Sequence, residues 1–330
     1  MGRALDEDDV RVRPGHGTRR RTRQRPTYDD AVAAVVVAVD RGRYTCQPGG
    51  RPAGEGQVVA VRGADARRSS VVVGDRVRLD GDTSGEPDRL ARIVEVLPRT
   101  SQLRRTPDDT DPVERPVVAN AEQLVVVVAL ADPTPRPRMI DRCLVAAYDG
   151  GLQPVLCLTK RDLQSPDALV AAYGPLAVPI VTLGRGDDLT PLADLLAGRT
   201  SVLFGHSGVG KSTLVNQLVP GADRATGGVN DVTGRGRHTS SSAVALALPG
   251  GGWVIDTPGV RSFGLGGVSA SRVLAAFDDL AAVAAGCPRD CSHRADAPDC
   301  ALDADPALPG PRVDSFRRLL AARDGEDPAG

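Results

Sequence analysis

At 330 residues the chain is long enough for two or three domains, and its 41% hydrophobic and 25% charged residues are the balance of a soluble globular protein. No run approaches the roughly 18 apolar residues that a bilayer span needs, which excludes a helical membrane protein. The formal net charge of −1 excludes a global attraction to nucleic acid, so any contact of that kind must come from local patches.

Residues 1–30 predict a disordered, arginine-rich tail. Acids crowd Asp6-Glu7-Asp8-Asp9, and seven arginines then fall between Arg11 and Arg25 with no acid among them. Such a tail can wrap phosphate backbones and order on binding, or it can stay solvated without a partner. It lacks an apolar signal core, which predicts a cytoplasmic protein. Residues 31–100 predict a small all-β domain, with β-rich runs at 32–39, 56–62, 70–79 and 89–97 separated by glycine-rich turns. A barrel of the OB type suits this spacing, and such barrels bind RNA. Tyr44 is the only aromatic residue from 31 to 98, so RNA contact would rest on arginines rather than base stacking. A purely structural barrel stays open.

Residues 99–115 read as a polar, proline-punctuated connector. Strands and helices then alternate, with strands at 124–130, 154–158 and 178–183 and helices at 139–148, 166–173 and 190–196. The alternation predicts an α/β domain over 116–265 whose loops converge at the carboxyl edge of the sheet, where nucleotides bind.

The most specific stretch is Gly205-His206-Ser207-Gly208-Val209-Gly210-Lys211-Ser212, followed by Thr213. It matches the phosphate-loop pattern G-x-x-x-x-G-K-[ST] at every fixed position, between a short apolar strand and a helix. Its glycines let successive N–H groups face the phosphates at a helix N-terminus. Lys211 would reach the β- and γ-phosphates and Ser212 would ligate Mg²⁺. Only two of the 41 Lys+Arg residues are lysine, Lys160 and Lys211. Lysine persists where a compact ammonium fits and a planar fork does not. Lys160 lies in Thr159-Lys160-Arg161-Asp162, which resembles the guanine-reading N-K-x-D motif, so both lysines point to one nucleotide.

Residues 234–240 predict a switch loop containing His238 and Thr239. Strands at 243–248 and 253–256 lead into Asp256-Thr257-Pro258-Gly259, a D-x-x-G signature in which Asp256 holds Mg²⁺ and the Gly259 N–H senses the γ-phosphate. Residues 266–330 predict a helical domain. Within it Cys287, Cys291, His293 and Cys300 form a Cys₃His set that suits one structural zinc, since four protein ligands leave no open position. Free buried thiols are the alternative.

The base-reading motif precedes the phosphate loop, which precedes the switch and D-x-x-G. This permuted order, the preceding barrel and the Cys/His cluster resemble the RsgA (YjeQ) family of GTPases. The resemblance runs from about residue 31 to 322 and includes Val73-Gly74-Asp75-Arg76-Val77, Ile140-Asp141-Arg142, Gly236-Arg237-His238-Thr239 and Asp290-Cys291-Ser292-His293. It implies GTP hydrolysis to GDP stimulated by the small (30S) ribosomal subunit, a late role in its maturation, an OB domain on 16S rRNA and one bound zinc. Three positions depart from the family. Thr159 replaces the usual asparagine, each outer gap of the cluster differs by one residue, and Thr182-Leu183 replaces the Ser-Ala pair of the second base-contacting loop. A threonine hydroxyl supplies only part of the hydrogen bonding of an amide, but Asp162 still offers two acceptors to guanine.

Many GTPases carry a water-orienting glutamine right after D-x-x-G, and here that position is Val260. The isolated protein should therefore be slow. His238 is the first candidate to orient the water, because an imidazole with a pKa of about 6.5 is neutral near pH 7. His206 is the second. Thr239 is the expected switch hydroxyl on Mg²⁺, with Ser240 adjacent. Nothing demands more than a monomer. Two alternatives remain open at this level: an RNA-binding placeholder with GTP as an affinity switch only, and a P-loop ATPase or kinase.

Overall fold

The computed structural model describes residues 28, 30–64, 66, 70–86, 88–105, 115–222, 243–257, 263, 265, 268–306 and 308–325. The arginines of the predicted tail, the switch residues His238, Thr239 and Ser240, and Gly259 and Val260 all lie outside them.

Five strands close the N-terminal barrel: β1 (Val32–Asp40), β2 (Arg43–Pro48), β3 (Val58–Arg62), β4 (Arg76–Gly81) and β5 (Ala91–Val96). Their order is β1-β2-β3-β5-β4 with β4 returning to β1, and β3–β5 is the one parallel pair. This is the five-stranded Greek-key closure of an OB barrel. Alternation drives it. Val77 and Leu79 point inward while Arg76 and Arg78 do not, and Val36, Cys46, Val58, Ala60 and Ile93 fill the interior with them. Tyr44 is buried in that interior, so it offers no face for stacking. A register shift between Val36 and Ala38 bends β1. Its first half pairs with β4, and Ala38 pairs with Val244 of the distant sheet.

Strands form at both ends of the expected connector at 99–115. β6 (Gln102–Arg105) and β7 (Arg115–Ala119) pair antiparallel, and Leu103 and Val118 enter the central core. One apolar residue in a four-residue strand gives no readable period, which is why the sequence shows only polarity there. This hairpin also joins the barrel to the next domain. Gly74 donates to Val36, Ala119 donates to Val73, and the Asn120 amide donates to the Gly74 carbonyl. Asp75 is fully buried and accepts two bonds from Arg99, at 2.7 and 2.9 Å. At Gly74 (φ +89°) a Cβ would lie 1.9 Å from the Ala119 carbonyl oxygen. Gly74→Ala should therefore destabilise the chain by about 2–4 kcal/mol, combining left-handed strain with overpacking. A lower thermal midpoint checks this, and an unchanged one rejects it.

The central sheet runs β10 (Ile180–Leu183), β9 (Gln153–Thr159), β8 (Gln123–Ala129), β11 (Thr200–Phe204), β13 (Trp253–Asp256) and β12 (Val244–Ala247). The first five are parallel, and β12 pairs antiparallel with β13 on one side and with β1 of the barrel, through Val244, on the other. β8 is buried at every residue because helices cover both faces. α1 (Pro137–Asp149) packs on one face; α3 (Thr190–Leu196) and α4 (Lys211–Leu218) pack on the other. α2 (Asp167–Tyr173) lies at the β9–β10 crossover.

The C-terminal helices α5 (Ala270–Leu274), α6 (Asp278–Ala284), α7 (Ala301–Ala304) and α8 (Gly310–Asp324) extend the α1-side core through Val273, Phe277, Leu280, Phe316 and Leu319. Asp141 of α1 is buried and accepts from Arg318 of α8 at 3.2 Å. Arg318 also lies over the Tyr173 ring and donates to the Ala172 carbonyl. Burial pushes the Asp141 carboxyl above its ordinary pKa, and the Arg318 charge opposes the rise. A raised carboxyl contributes stability below its unfolded pKa and loses it as pH rises through the folded one. Arg318→Met raises it further, so the variant loses more than the wild type over that climb. We expect a deficit of about 3 kcal/mol at pH 8 that shrinks toward pH 4. A pH-independent deficit in denaturant titrations would show that Asp141 does not carry it.

Among the described residues no helix is long and apolar enough to cross a membrane.

Candidate nucleotide site and metal cluster

β11 and α4 are joined by the phosphate loop at the carboxyl edge of the sheet, as the motif predicts. Gly208 and Gly210 adopt φ values of +83° and +93°, a conformation that side chains disfavour. At Gly205 a Cβ would sit 2.7 Å from the Val127 carbonyl oxygen, so β8 and the loop approach closely only because it is glycine. Val209 is buried against the α4-side core and anchors the loop from below, while Ser207 and Gly208 are exposed. Ser212 and Thr213 occupy the first turn of α4, next to its unpaired N–H groups.

Lys211 and Asp256 meet. The ammonium contacts the Asp256 carboxylate, and the parallel pairing Leu203–Asp256 sets this geometry by ending β11 and β13 side by side. Both side chains are largely buried, so their charges interact with little screening. Thr257 is buried and donates to the Leu203 carbonyl at 3.0 Å, fixing the start of the D-x-x-G turn.

The segment predicted to read the base arrives from β9. Thr159 is buried, and its hydroxyl lies 2.6 Å from the Val209 carbonyl and 3.3 Å from that of Val128. A hydroxyl has one proton, and the shorter contact directs it to the phosphate loop. Thr159 thus ties the base-reading segment to the phosphate loop. Lys160 takes a left-handed φ of +60° and sends its ammonium to the Asp132 carbonyl, after β8. Asp162 is exposed; its Oδ1 accepts the Arg185 N–H at 3.0 Å. Thr182 and Leu183 end β10 next to it, paired with Leu158 and Thr159.

His206 projects beside a cavity of about 240 Å³ lined by Val128, Pro133, Arg136 and Met139. Burial, then the charge of Arg136, holds its ring below the ordinary histidine pKa. It is therefore neutral near pH 7.

The four predicted metal ligands converge. Their donor atoms all lie within 4.8 Å of one another. Cys287 Sγ is 3.6 Å from His293 Nδ1 and 4.0 Å from Cys300 Sγ, and Cys300 Sγ is 3.9 Å from His293 Nδ1. A tetrahedron with metal–sulfur bonds of about 2.3 Å has edges of about 3.8 Å, so the set fits zinc. The N–H groups of His293 and Ala301 point at Cys291 and Cys287, which favours thiolates. Left-handed residues Asp290, His293 and Asp299 make the turns that bring widely spaced ligands together. Arg317 of α8 donates to the His293 carbonyl at 3.0 Å and holds Asp303 with two further bonds.

The profile of the RsgA GTPase family matches residues 96–266. A relative from Ectopseudomonas mendocina (strain ymp), named small ribosomal subunit biogenesis GTPase RsgA, is 39% identical over 274 residues, 79% of this chain and 78% of its own. The chain belongs to the RsgA GTPase family. It is a GTP hydrolase. A second RsgA, from Pseudomonas fluorescens (strain SBW25), is 40% identical over 269 residues, covering 78% of this chain and 76% of that one. Among solved structures, YjeQ from Thermotoga maritima aligns at TM-score 0.63 and 25% identity, over 90% of this chain and all of that one. YloQ, a circularly permuted GTPase, shares the fold at TM-score 0.64 and 22% identity, over 94% of this chain and all of that one.

As an RsgA GTPase the chain places its predicted phosphate-loop and base-reading residues at one sheet edge, with Asp256 beside Lys211. Sequence reading missed Asp132 and Arg317. A lone Asp before proline and an arginine on an amphipathic helix read as ordinary solvated residues, so no local signal marks either.

Proposed function

We propose that the protein binds the small ribosomal subunit and hydrolyses GTP to GDP and phosphate during late maturation of that subunit, with the subunit stimulating turnover. The small-subunit biogenesis role named for its relatives supports the assembly role. The meeting of the phosphate loop, Thr159-Lys160-Arg161-Asp162 and Asp256 at one edge carries the nucleotide role.

In this reading Lys211 and the N–H groups of 205–213 hold the β- and γ-phosphates. Mg²⁺, when bound, neutralises charge between the phosphates, with Ser212, Asp256 and Thr239 as its protein ligands. Lys160 lies along the base and Asp162 accepts from the guanine N1–H and N2–H₂. Gly259 senses the γ-phosphate. Val260 cannot hydrogen-bond a water, so His238, or His206 from within the loop, orients it. The Cys₃His set holds one structural zinc. The barrel contacts 16S rRNA, chiefly through arginine on phosphate. The protein works as a cytoplasmic monomer.

Competition of GTP against ATP on the purified chain, with and without small subunits, tests this reading. GTP preference and stimulated turnover are expected. Equal affinity for ATP, or turnover indifferent to subunits, would overturn it. His238→Ala with unchanged stimulated turnover would remove His238 from the mechanism and leave the water to His206 or to a group of the partner.

A further inference from the structure

The carboxylate that reads the base sits at an exposed loop end, where an aspartate ordinarily samples several rotamers. Here its surroundings fix one. Asp162 Oδ1 accepts the Arg185 N–H at 3.0 Å, and Arg185 belongs to the turn that follows β10. That turn is tied at both ends by Asp187. The Asp187 carboxylate accepts the Gly184 N–H at 2.6 Å, and the Asp187 N–H returns to the Gly184 carbonyl at 3.3 Å. The same carboxylate grips Arg161, the neighbour of Asp162, through Nε and through Nη2 at 3.0 Å. The Arg161 N–H reaches the Leu183 carbonyl at 3.2 Å, completing the ring between the two strand ends.

The turn lies as close to the base reader as the backbone allows. A Cβ at Gly184 would stand 3.0 Å from Arg161 Cγ, 3.2 Å from Asp162 Oδ1 and 3.3 Å from Asp187 Oδ2. Gly186, at φ +83°, gives the reversal. The Arg161 bond, followed by the Gly184 N–H, holds the Asp187 carboxyl well below its usual range, at about 2, so it is charged at any working pH. Exposed ion pairs contribute little to global stability, which leaves local order as what this one supplies. The fork geometry of a guanidinium on a carboxylate fixes direction as well as distance.

We propose that Asp187 is a positioning residue for base selection. By holding Arg161 and the Gly184 N–H, it keeps the Arg185 N–H on Asp162 Oδ1, which leaves Oδ2 directed at the edge of the purine. The 2-amino group of guanine is the part of the ligand that gains from this fixed oxygen. The proposal rests on Asp162 being the base reader.

The test is competition of GTP, ITP, XTP and ATP against a fluorescent GDP on the full chain, in wild type, Asp187→Ala, Asp187→Asn and Asp162→Asn. Asp187→Ala should weaken GTP roughly five- to tenfold and ITP, which lacks the 2-amino group, by less, so their ratio narrows. ATP affinity and the thermal midpoint should hold, and turnover at saturating GTP should be retained. Asp187→Asn keeps an acceptor for Gly184 and should fall between. Equal loss for all four nucleotides would reduce Asp187 to a structural role and overturn the proposal; so would no loss at all. Asp162→Asn exchanges an acceptor for an N–H donor and should prefer XTP, whose C2 carries a carbonyl. Failure of that exchange would remove Asp162 as base reader, a result separate from failure at Asp187.

Discussion

Lys211→Ala will lower GTP turnover by at least about 10²–10³-fold, the loss expected when a preorganised charge is removed from a largely buried phosphate site. The effect should fall on kcat as well as on affinity. Charge accumulates on the transferred phosphoryl group in the transition state, and Lys211 is the one cation that the phosphate loop itself supplies. Lys211→Arg should not rescue it. The side chain is only 14% exposed and contacts Asp256, so a planar fork has no room to turn. The variant also leaves Asp256, 7% exposed, without this partner, and some stability will be lost with activity. Asp256→Asn in the same background relieves that cost. A double variant that regains thermal stability assigns the stability loss to the Asp256 carboxylate; turnover is read in Lys211→Ala alone, because Asp256 is itself a proposed Mg²⁺ ligand. Full turnover in Lys211→Ala would remove the phosphate loop from the chemistry.

The parts of this site that could be read from sequence are those whose chemistry is local. A strand, six loop residues and a helix start are contiguous, so the motif from Gly205 to Ser212 carries its own context. The Cys₃His set is readable for the same reason, because four ligands fall within fourteen residues. The buried strands β8 and β9 show themselves as continuous apolar runs. What sequence could not show is pairing at a distance. Thr159 looks like a weakened base contact until the fold brings the Val209 carbonyl within 2.6 Å of its hydroxyl. Gly74 reads as one residue of the β-rich run 70–79 until β7 lays the Ala119 carbonyl across it. The β6–β7 hairpin hides because β6 offers only Leu103 to the core and β7 is too short to show a period. For Thr159 and Gly74 the decisive partner is between about 40 and 50 residues away, and no window of local periodicity spans that separation.

Stripping the metal, or replacing Cys291 by serine, should unfold residues 285–304 while the sheet stays folded. The purified chain should carry one zinc. The reason lies in what else could hold this segment. α7 is four residues long and α6 seven, far below the length at which a helix is stable alone. Across residues 285–304 only Cys300 and Leu302 are buried, and three left-handed residues oppose the turn they make. Three thiols drawn to within bonding distance of one ion also repel as thiolates once that ion is gone. A structural zinc site supplies on the order of 10 kcal/mol or more, enough to offset all of these. α8 should survive, since Phe316, Leu319 and Leu320 are buried in the α1-side core independently of the cluster. Chelator treatment should therefore make Cys287, Cys291 and Cys300 react with alkylating agents, while Cys143 and Cys157, buried in the central domain, stay protected. GTP affinity should change by no more than about twofold, because no ligand of the cluster touches the nucleotide edge. D-x-x-G is followed in sequence by this domain, so hydrogen exchange over residues 266–300 should also differ between GTP- and GDP-bound protein. Cysteines that remain shielded after complete zinc removal would show that packing alone sustains the segment.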